Sequence, residues 1–453
     1  MLKIKILAAL MAALMLLSVL VGCSDKASDG DAIDPTTSGE TQQTNEPDDT
    51  SREEETTVAP DITTKVETEM IDPIELAPPA DGPIDLSRTG ATRNMLKRSV
   101  VNEGDLSRLA SKISYAMDHR EETTTIVFLG DSILAGSSAS SSNQFANLVS
   151  GWWEYTVSPS FRSVNASIGA TDSHLAVHRL ERDVFPHNPD VIFIEYINDK
   201  NDAFYKTSMD SLVRRCLSYE SKPAVILVEM ALQDGSGGPQ QVHTEVGKYY
   251  GVPIISFHNA IMPEINAGNF TWRDISPDTV HPNDMGHSIA AQLVTNFLDG
   301  VVNKLDTIDK TVSSDVPKSP IGYKYENARL VNRDSAELVC TDEGSFTGVP
   351  AFGKNFASGW GTTAGGKMTF EIEMKNLGVV YNKSTAGGYG VAKITVDGVE
   401  VKRIGDADFT GGWGSYARTV EVFSSDKVAK HTVTIEIEGT EKPNFDIYSF
   451  LVS

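Results

Sequence analysis

Ser132 ends the stretch Ile126-Val127-Phe128-Leu129-Gly130-Asp131-Ser132, in which four apolar residues run into Gly-Asp-Ser. Such a run reads as a buried strand that delivers a hydroxyl to the carboxyl edge of a sheet, where α/β folds collect their chemistry. Serine is a weak nucleophile at its own pKa and needs a base beside it. The chain offers one in Asp278-Thr279-Val280-His281-Pro282. Pro282 keeps His281 out of the helical region, in an extended loop ahead of a helix expected over 285–305. The three-residue offset lets Asp278 fold back on the imidazole and fix its tautomer. Both pieces have ordinary alternatives: Gly-Asp-Ser suits a turn or helix cap, and Asp-x-x-His suits an N-cap followed by a surface histidine.

Positioning these groups falls to alternating strands and helices. Leu106, Leu109, Ile113 and Met117 recur at helical spacing behind Asp105, a candidate N-cap, and lead into a strand at 124–129. A helix near 144–155 carries Phe145, Leu148, Trp152 and Trp153, and a short strand at 163–167 ends in a turn at Gly169. Leu175, Val177, Leu180 and Val184 mark a helix before the strand 191–196, which ends at Ile197-Asn198-Asp199. Strands at 224–228 and 253–257 follow, with helices through Cys216 and over 242–250. This alternation predicts a parallel sheet covered on both faces. Ser132, the Gly169 turn and Asn198 then share one edge. Glu195 and Asp199 are read as carboxylates bonded to backbone or neighbours, and His174 and His287 as polar-face or helix-start residues.

Four blocks in this order resemble the SGNH family, the GDSL-type serine esterases and lipases. They are Gly130-Asp131-Ser132, Gly169 in Asn165-Ala166-Ser167-Ile168-Gly169-Ala170, Asn198-Asp199 preceded by Tyr196-Ile197 where the family has Gly-x, and Asp278-Thr279-Val280-His281. The resemblance covers roughly 106–305. It implies a flavodoxin-like α/β fold with Ser132 as nucleophile, His281 as base and Asp278 as its orienting carboxylate. The backbone N–H groups of Ser132 and Gly169 and the Asn198 side-chain amide would form the oxyanion hole. Asp131, Trp152 and Trp153 are candidate substrate contacts. No Gly-x-Ser-x-Gly elbow occurs, which disfavours the α/β-hydrolase version of this chemistry.

The ends of the chain bear on where it works. Lys3 and Lys5 precede a long apolar run closing at Leu20-Val21-Gly22-Cys23. This reads as a secretory signal over 1–22, and the last four residues resemble the lipobox of bacterial lipoproteins, with Cys23 as the lipidated residue. An uncleaved anchor is the alternative; either places the body outside the cytoplasm, on a bacterial cell surface. Residues 24–83 hold 17 acidic and 3 basic side chains, giving −14 of the formal −23. Almost without aromatics, residues 23–83 read as a disordered tether. No basic tract points to nucleic acid. Neither the cysteines nor the histidines show metal-site spacing, so no metal or cofactor is expected. Cys216 and Cys340 read as free thiols.

The catalytic unit is assigned to 84–306 and a polar linker to 307–319. Over 320–453 the pattern turns to alternating strands at 368–374, 389–396, 399–404, 415–423, 431–437 and 445–452, with Asp397-Gly398 as a hairpin turn. A β-sandwich or jelly roll is expected there, similar in architecture to the carbohydrate-binding accessory domains of secreted glycan esterases. Trp360, Trp413 and Tyr416 lie in or beside its Gly-rich segments, where an aromatic can stack on a sugar or plug the sandwich. The whole reads as a monomeric, surface-tethered serine esterase removing acyl groups, chiefly acetyl, from polysaccharide. A lipase or lysophospholipase, an acyltransferase using the same serine, and an inert glycan-binding lipoprotein are the alternatives.

Overall fold

Strands β1 (Val100–Asn102), β2 (Thr124–Gly130), β3 (Phe161–Asn165), β4 (Val191–Glu195), β5 (Ala224–Glu229) and β6 (Ile254–Ser256) form one sheet in the order β1-β6-β5-β4-β2-β3. The computed structural model describes residues 77–349, 355–356, 358–384, 388–405 and 415–453. β2 through β6 run parallel, and β1 pairs antiparallel with β6 at the edge. The parallel strands follow the flavodoxin-like order, and the direction of winding reverses between β2 and β4, where α/β sheets open a crevice at their carboxyl ends. The segment 1–22 read as a signal, the expected lipidation site Cys23, most of the expected acidic tether and Trp413 lie outside the described residues.

Helices α1 (Ser107–Asp118), α2 (Phe145–Thr156), α3 (Ser173–His178), α4 (Ala203–Ser218), α5 (Gln240–Tyr250), α6 (Phe257–Asn266) and α7 (Asp284–Val302) cover the two faces. Ile126, Phe128, Phe193 and Ile226 pack against Ile113 of α1, Phe145 of α2, Ile261 of α6 and Ile289 of α7. Their strand neighbours Val127, Leu129, Ile192 and Leu227 pack against Val177 of α3, Leu212 of α4 and Val246 of α5. Successive residues of a strand face opposite sides, so a sheet covered twice needs uninterrupted apolar runs such as Ile126–Leu129.

The segment after α7 stays on the protein. Val316 packs against the α3–α5 face, Ser319 Oγ donates to Asp210 Oδ2 at 2.7 Å, and Tyr325 is buried with its ring beside His174 and His178. Among the described residues nine antiparallel strands follow: β7 (Arg329–Val331), β8 (Val339–Asp342), β9 (Thr347–Val349), β10 (Gly359–Thr362), β11 (Gly366–Lys383), β12 (Val391–Val396), β13 (Val399–Gly405), β14 (Tyr416–Glu438) and β15 (Phe445–Val452). β11 and β14 pair along their whole lengths, with irregularities beside Asn376 and Gly378. Such bulges bend long strands and let one sheet close on itself as a sandwich. Trp360, Phe370, Val379, Ile435 and Phe450 belong to its core. At Gly378 β11 passes close to α3: a Cβ there would stand 3.1 Å from His174 Cε1.

Candidate active site

Ser132 lies two residues beyond Gly130, the last residue of β2, at the point where winding reverses, and is 8% exposed. His281 Nε2 stands 2.9 Å from Ser132 Oγ, and His281 Nδ1 stands 2.8 Å from Asp278 Oδ2. With a carboxylate facing Nδ1, the ring proton belongs on Nδ1 and Nε2 is left to accept from the serine hydroxyl. Asp278 Oδ1 accepts from the backbone N–H of Val280 at 2.8 Å and of His281 at 2.7 Å. Partial burial works against the Asp278 charge, but these N–H groups and the His281 ring outweigh it and hold the carboxyl below its ordinary value.

Behind Ser132, His281 and Asp278 the loops are pinned by both local and long-range hydrogen bonds. Ser276 Oγ lies 2.9 Å from the Asp278 carbonyl and 2.7 Å from that of His281, and Trp272 Nε1 donates to the Asp278 carbonyl at 2.6 Å. Asp284, the first residue of α7, accepts from Ser140 N at 2.6 Å and from Asn143 Nδ2 at 3.0 Å. His287 accepts from Phe145 N through Nδ1 and donates to the Ser137 carbonyl through Nε2, each at 3.2 Å. Burial holds its pKa below the ordinary value, as the accepting role requires. The loop carrying Ser132 is thus stitched to the helix that follows His281. The sequence places His287 and His174 at a polar face or helix start; both sit in the first turn of a helix but are buried, His287 bonded through both nitrogens and His174 packed against the rings of His178, Phe204 and Tyr325.

A cavity of about 540 Å³ opens at this point, lined by Ser132, Ser137, Ile168, Gly169, Asp278, Thr279, Val280 and His281 and by Asn355, Ser415 and Tyr416 of the sandwich. Gly169 lies against Ser132: a Cβ there would be 3.5 Å from Ser132 Cβ. Asn198, three residues beyond the end of β4, is exposed. Its Nδ2 donates to Asp131 Oδ2 at 2.8 Å and to the Thr171 carbonyl at 3.2 Å.

Other expected substrate contacts are placed elsewhere. Asp131 is fully buried and accepts from Asn198 and Ile133, so it touches no substrate. Trp153 is wholly in the core, because the inward face of α2 presents it to the α7 side of the sheet. Trp152 is half-buried, and its Nε1 bonds Asp299 of α7 at 2.9 Å, away from the cavity. Trp360 has no exposed surface and fills the sandwich beside Phe450. Of the aromatics singled out that fall among the described residues, Tyr416 is the one that lines the cavity. Asn355 and Ser415 carried no signal in the sequence, since their place there depends on how the sandwich docks.

Below the strand ends lies a buried ionic group that spacing did not reveal. His243 of α5 sits between Asp199 Oδ2 at 3.1 Å and Glu229 Oε2 at 3.2 Å. Burial opposes its charge, but Glu229 and Asp199 outweigh that and push it up to about 10, so it is an imidazolium donating from both nitrogens. Asp199 also accepts from Ser173 N at 2.9 Å, which matches the structural role expected of it. Cys216 is buried and Cys340 half-buried, both as free thiols.

No family model and no curated protein matches the chain. Among solved structures, a two-domain esterase active on acetylated mannans is 30% identical, with a TM-score of 0.70 over 79% of this chain and 98% of its own. The chain belongs to the SGNH (GDSL-type) serine esterases. The same esterase co-crystallised with mannopentaose aligns with 29% identity and a TM-score of 0.71, over 79% of this chain and 97% of that one. An acetylxylan esterase from Geobacillus stearothermophilus, in a catalytic-mutant form, matches 39% of this chain and 94% of its own at 18% identity and a TM-score of 0.33. As an SGNH esterase this protein is a carboxylic-ester hydrolase, built from an α/β unit and a β-sandwich.

Proposed function

We propose that this esterase removes acetyl groups from extracellular polysaccharide with Ser132 as nucleophile, His281 as general base and Asp278 as orienting carboxylate. The observation that carries the reading is the aligned relay of 2.9 Å from Ser132 Oγ to His281 Nε2 and 2.8 Å from His281 Nδ1 to Asp278 Oδ2. Ser132 Oγ adds to the ester carbonyl as His281 takes its proton. The resulting oxyanion is met by the backbone N–H groups of Ser132 and Gly169 and by the Asn198 amide. Collapse breaks the bond to the sugar oxygen, which leaves with the proton from His281. Water, deprotonated by the same ring, then releases acetate and restores Ser132.

The glycan part of the reading is supported by relationship to an esterase active on acetylated mannans over both parts of the chain. It is supported also by the cavity wall, where Asn355, Ser415 and Tyr416 come from the sandwich. Ile168 and Val280 are its only aliphatic lining among the described residues, too little to cradle a long acyl chain. Acetate release from acetylated mannan, xylan and pectin is the direct test, with Ser132→Ala as the inactive control. Preference for long-chain over acetyl nitrophenyl esters, with no acetate from any glycan, would overturn it. We place the enzyme outside the cytoplasm, held by lipid on Cys23. Cys23→Ala should then move it from the membrane fraction to the medium of expressing cells.

A further inference from the structure

The carboxyl ends of β2 and β4 bring two acids together behind the nucleophile. Gly130 pairs with Glu195 in the sheet, so Asp131 and the Glu195 side chain meet where the winding reverses. Asp131 is 0% exposed and Glu195 1%. Only glycine fits at 130, since a Cβ would lie 2.8 Å from the Glu195 carbonyl oxygen and 3.2 Å from its Oε2. Asp131 Oδ1 accepts from Ile133 N at 3.0 Å, while Oδ2 accepts from Asn198 twice, from Nδ2 at 2.8 Å and from the backbone N at 3.3 Å. Glu195 Oε1 accepts from Ile197 N at 2.8 Å, and Oε2 is buried with no group donating to it.

We propose that Asp131 and Glu195 are positioning residues for ester hydrolysis, a buried carboxyl pair that holds the Asn198 amide for the oxyanion. The inference rests on the reading of Asn198 as an oxyanion donor. Two acids this close and this buried do not both ionise. Burial raises Asp131 to about 6 and raises Glu195 well above its usual value, Glu195 further because it faces Asp131. Glu195 therefore keeps the proton, on the Oε2 that otherwise lacks a partner, and donates it to Asp131. Asp131, left as an acceptor on both oxygens, dictates which end of the Asn198 amide faces it. Nδ2 turns toward the carboxylate, and its second hydrogen is kept on the loosely held side now occupied by the Thr171 carbonyl at 3.2 Å. Without Asp131 the amide can flip and present oxygen to the oxyanion.

Amide chemistry separates positioning from bulk. Glu195→Gln keeps an acceptor for Ile197 N and an N–H for Asp131, so it should retain most of kcat on nitrophenyl acetate. Glu195→Ala should lose about tenfold or more in kcat with KM within about threefold. Asp131→Asn should lose about ten- to a hundredfold, because no orientation of the new amide satisfies both Ile133 N and Asn198 Nδ2. The deciding measurement is a double-mutant cycle between Asp131→Asn and Asn198→Ala. If Asp131 acts through Asn198, adding Asp131→Asn to Asn198→Ala changes kcat by no more than about twofold. A repeat of its full effect in that background overturns the inference while leaving the oxyanion reading intact. Unchanged kcat in Asn198→Ala alone removes the oxyanion reading and this inference with it. Should Asp131→Asn fail to fold, equal losses in Glu195→Gln and Glu195→Ala, or no loss in either, overturn it independently.

Discussion

Asp278→Asn keeps the size of the side chain and exchanges one oxygen for an NH2. Both carboxylate oxygens of Asp278 are acceptors, one for the Val280 and His281 backbone N–H groups and the other for the His281 ring. If the new NH2 faces the backbone, donors oppose donors. If it faces the ring, His281 must carry its proton on Nε2 and can no longer accept from Ser132 Oγ. Either outcome disables the base while leaving Ser132 and the cavity wall in place, so kcat should fall by about a hundredfold or more with KM little changed. Steady-state kinetics on nitrophenyl acetate decide this, and a kcat within fivefold of wild type would show that Asp278 does not set the tautomer. Ser132, Asp278 and His281 were readable in the sequence because their partners include near neighbours: the strand before Ser132, and the three-residue offset from Asp278 to His281. Asp131 was misassigned to substrate for the opposite reason. Its partners, Asn198 and Glu195, are more than sixty positions away, and only the sheet brings them beside it.

At the scale of elements, His243 joins α5 to the ends of two strands, through Glu229 of β5 and through Asp199 just beyond β4. Its folded-state pKa of about 10 exceeds the ordinary 6.5. The stabilisation this represents is complete below pH 6.5 and drains away as pH rises through about 10. Unfolding by denaturant should therefore give falling stability from pH 6.5 to 10. His243→Gln should be destabilised at pH 7 by about 3–5 kcal/mol, the usual cost of leaving buried charge without its partner. It should also show a shallower decline with pH. Glu195, raised by burial beside Asp131, contributes a slope of the same sign, so the difference between the two proteins is the quantity to read. An identical slope in both would exclude an imidazolium at 243. The elements themselves were legible to different degrees. Strands 191–196, 224–228 and 445–452 emerge within a residue of Val191–Glu195, Ala224–Glu229 and Phe445–Val452, because runs buried on one or both faces announce themselves. The strands at 415–423 and 431–437 are one strand, Tyr416–Glu438, whose alternation is broken by the polar stretch Ser424-Ser425-Asp426. Helix α6 was missed: Pro263 inside it and its start at the very end of β6 hid the period.

Across the whole molecule, the sandwich is held against the catalytic unit at the rim of the cavity. Asp172 follows the Gly169 turn; its Oδ1 caps α3 through Leu175 N at 2.9 Å, and its Oδ2 accepts from Thr419 Oγ1 of β14 at 2.6 Å. Three residues before Thr419 comes Tyr416, in the cavity wall. Leu175 packs with Phe356, Val380 and Leu451 of the sandwich, and Gly378 lets β11 approach His174. The contact therefore sets the distance between Tyr416 and Ser132, which concerns a substrate large enough to touch both. Thr419→Val keeps the shape of the side chain and removes the donor to a carboxylate that burial already pushes up to about 6. A lost bond to a buried acceptor weakens the docking by about 1–3 kcal/mol. On an acetylated oligosaccharide, KM should rise by about three- to tenfold. Nitrophenyl acetate, which reaches Ser132 without needing the sandwich wall, should be turned over within about twofold of wild type. Equal losses on both substrates would mean that the contact serves the catalytic loops, through the Asp172 cap on α3, and not the wall. No loss on either would mean that apolar packing around Leu175 alone fixes the sandwich in place.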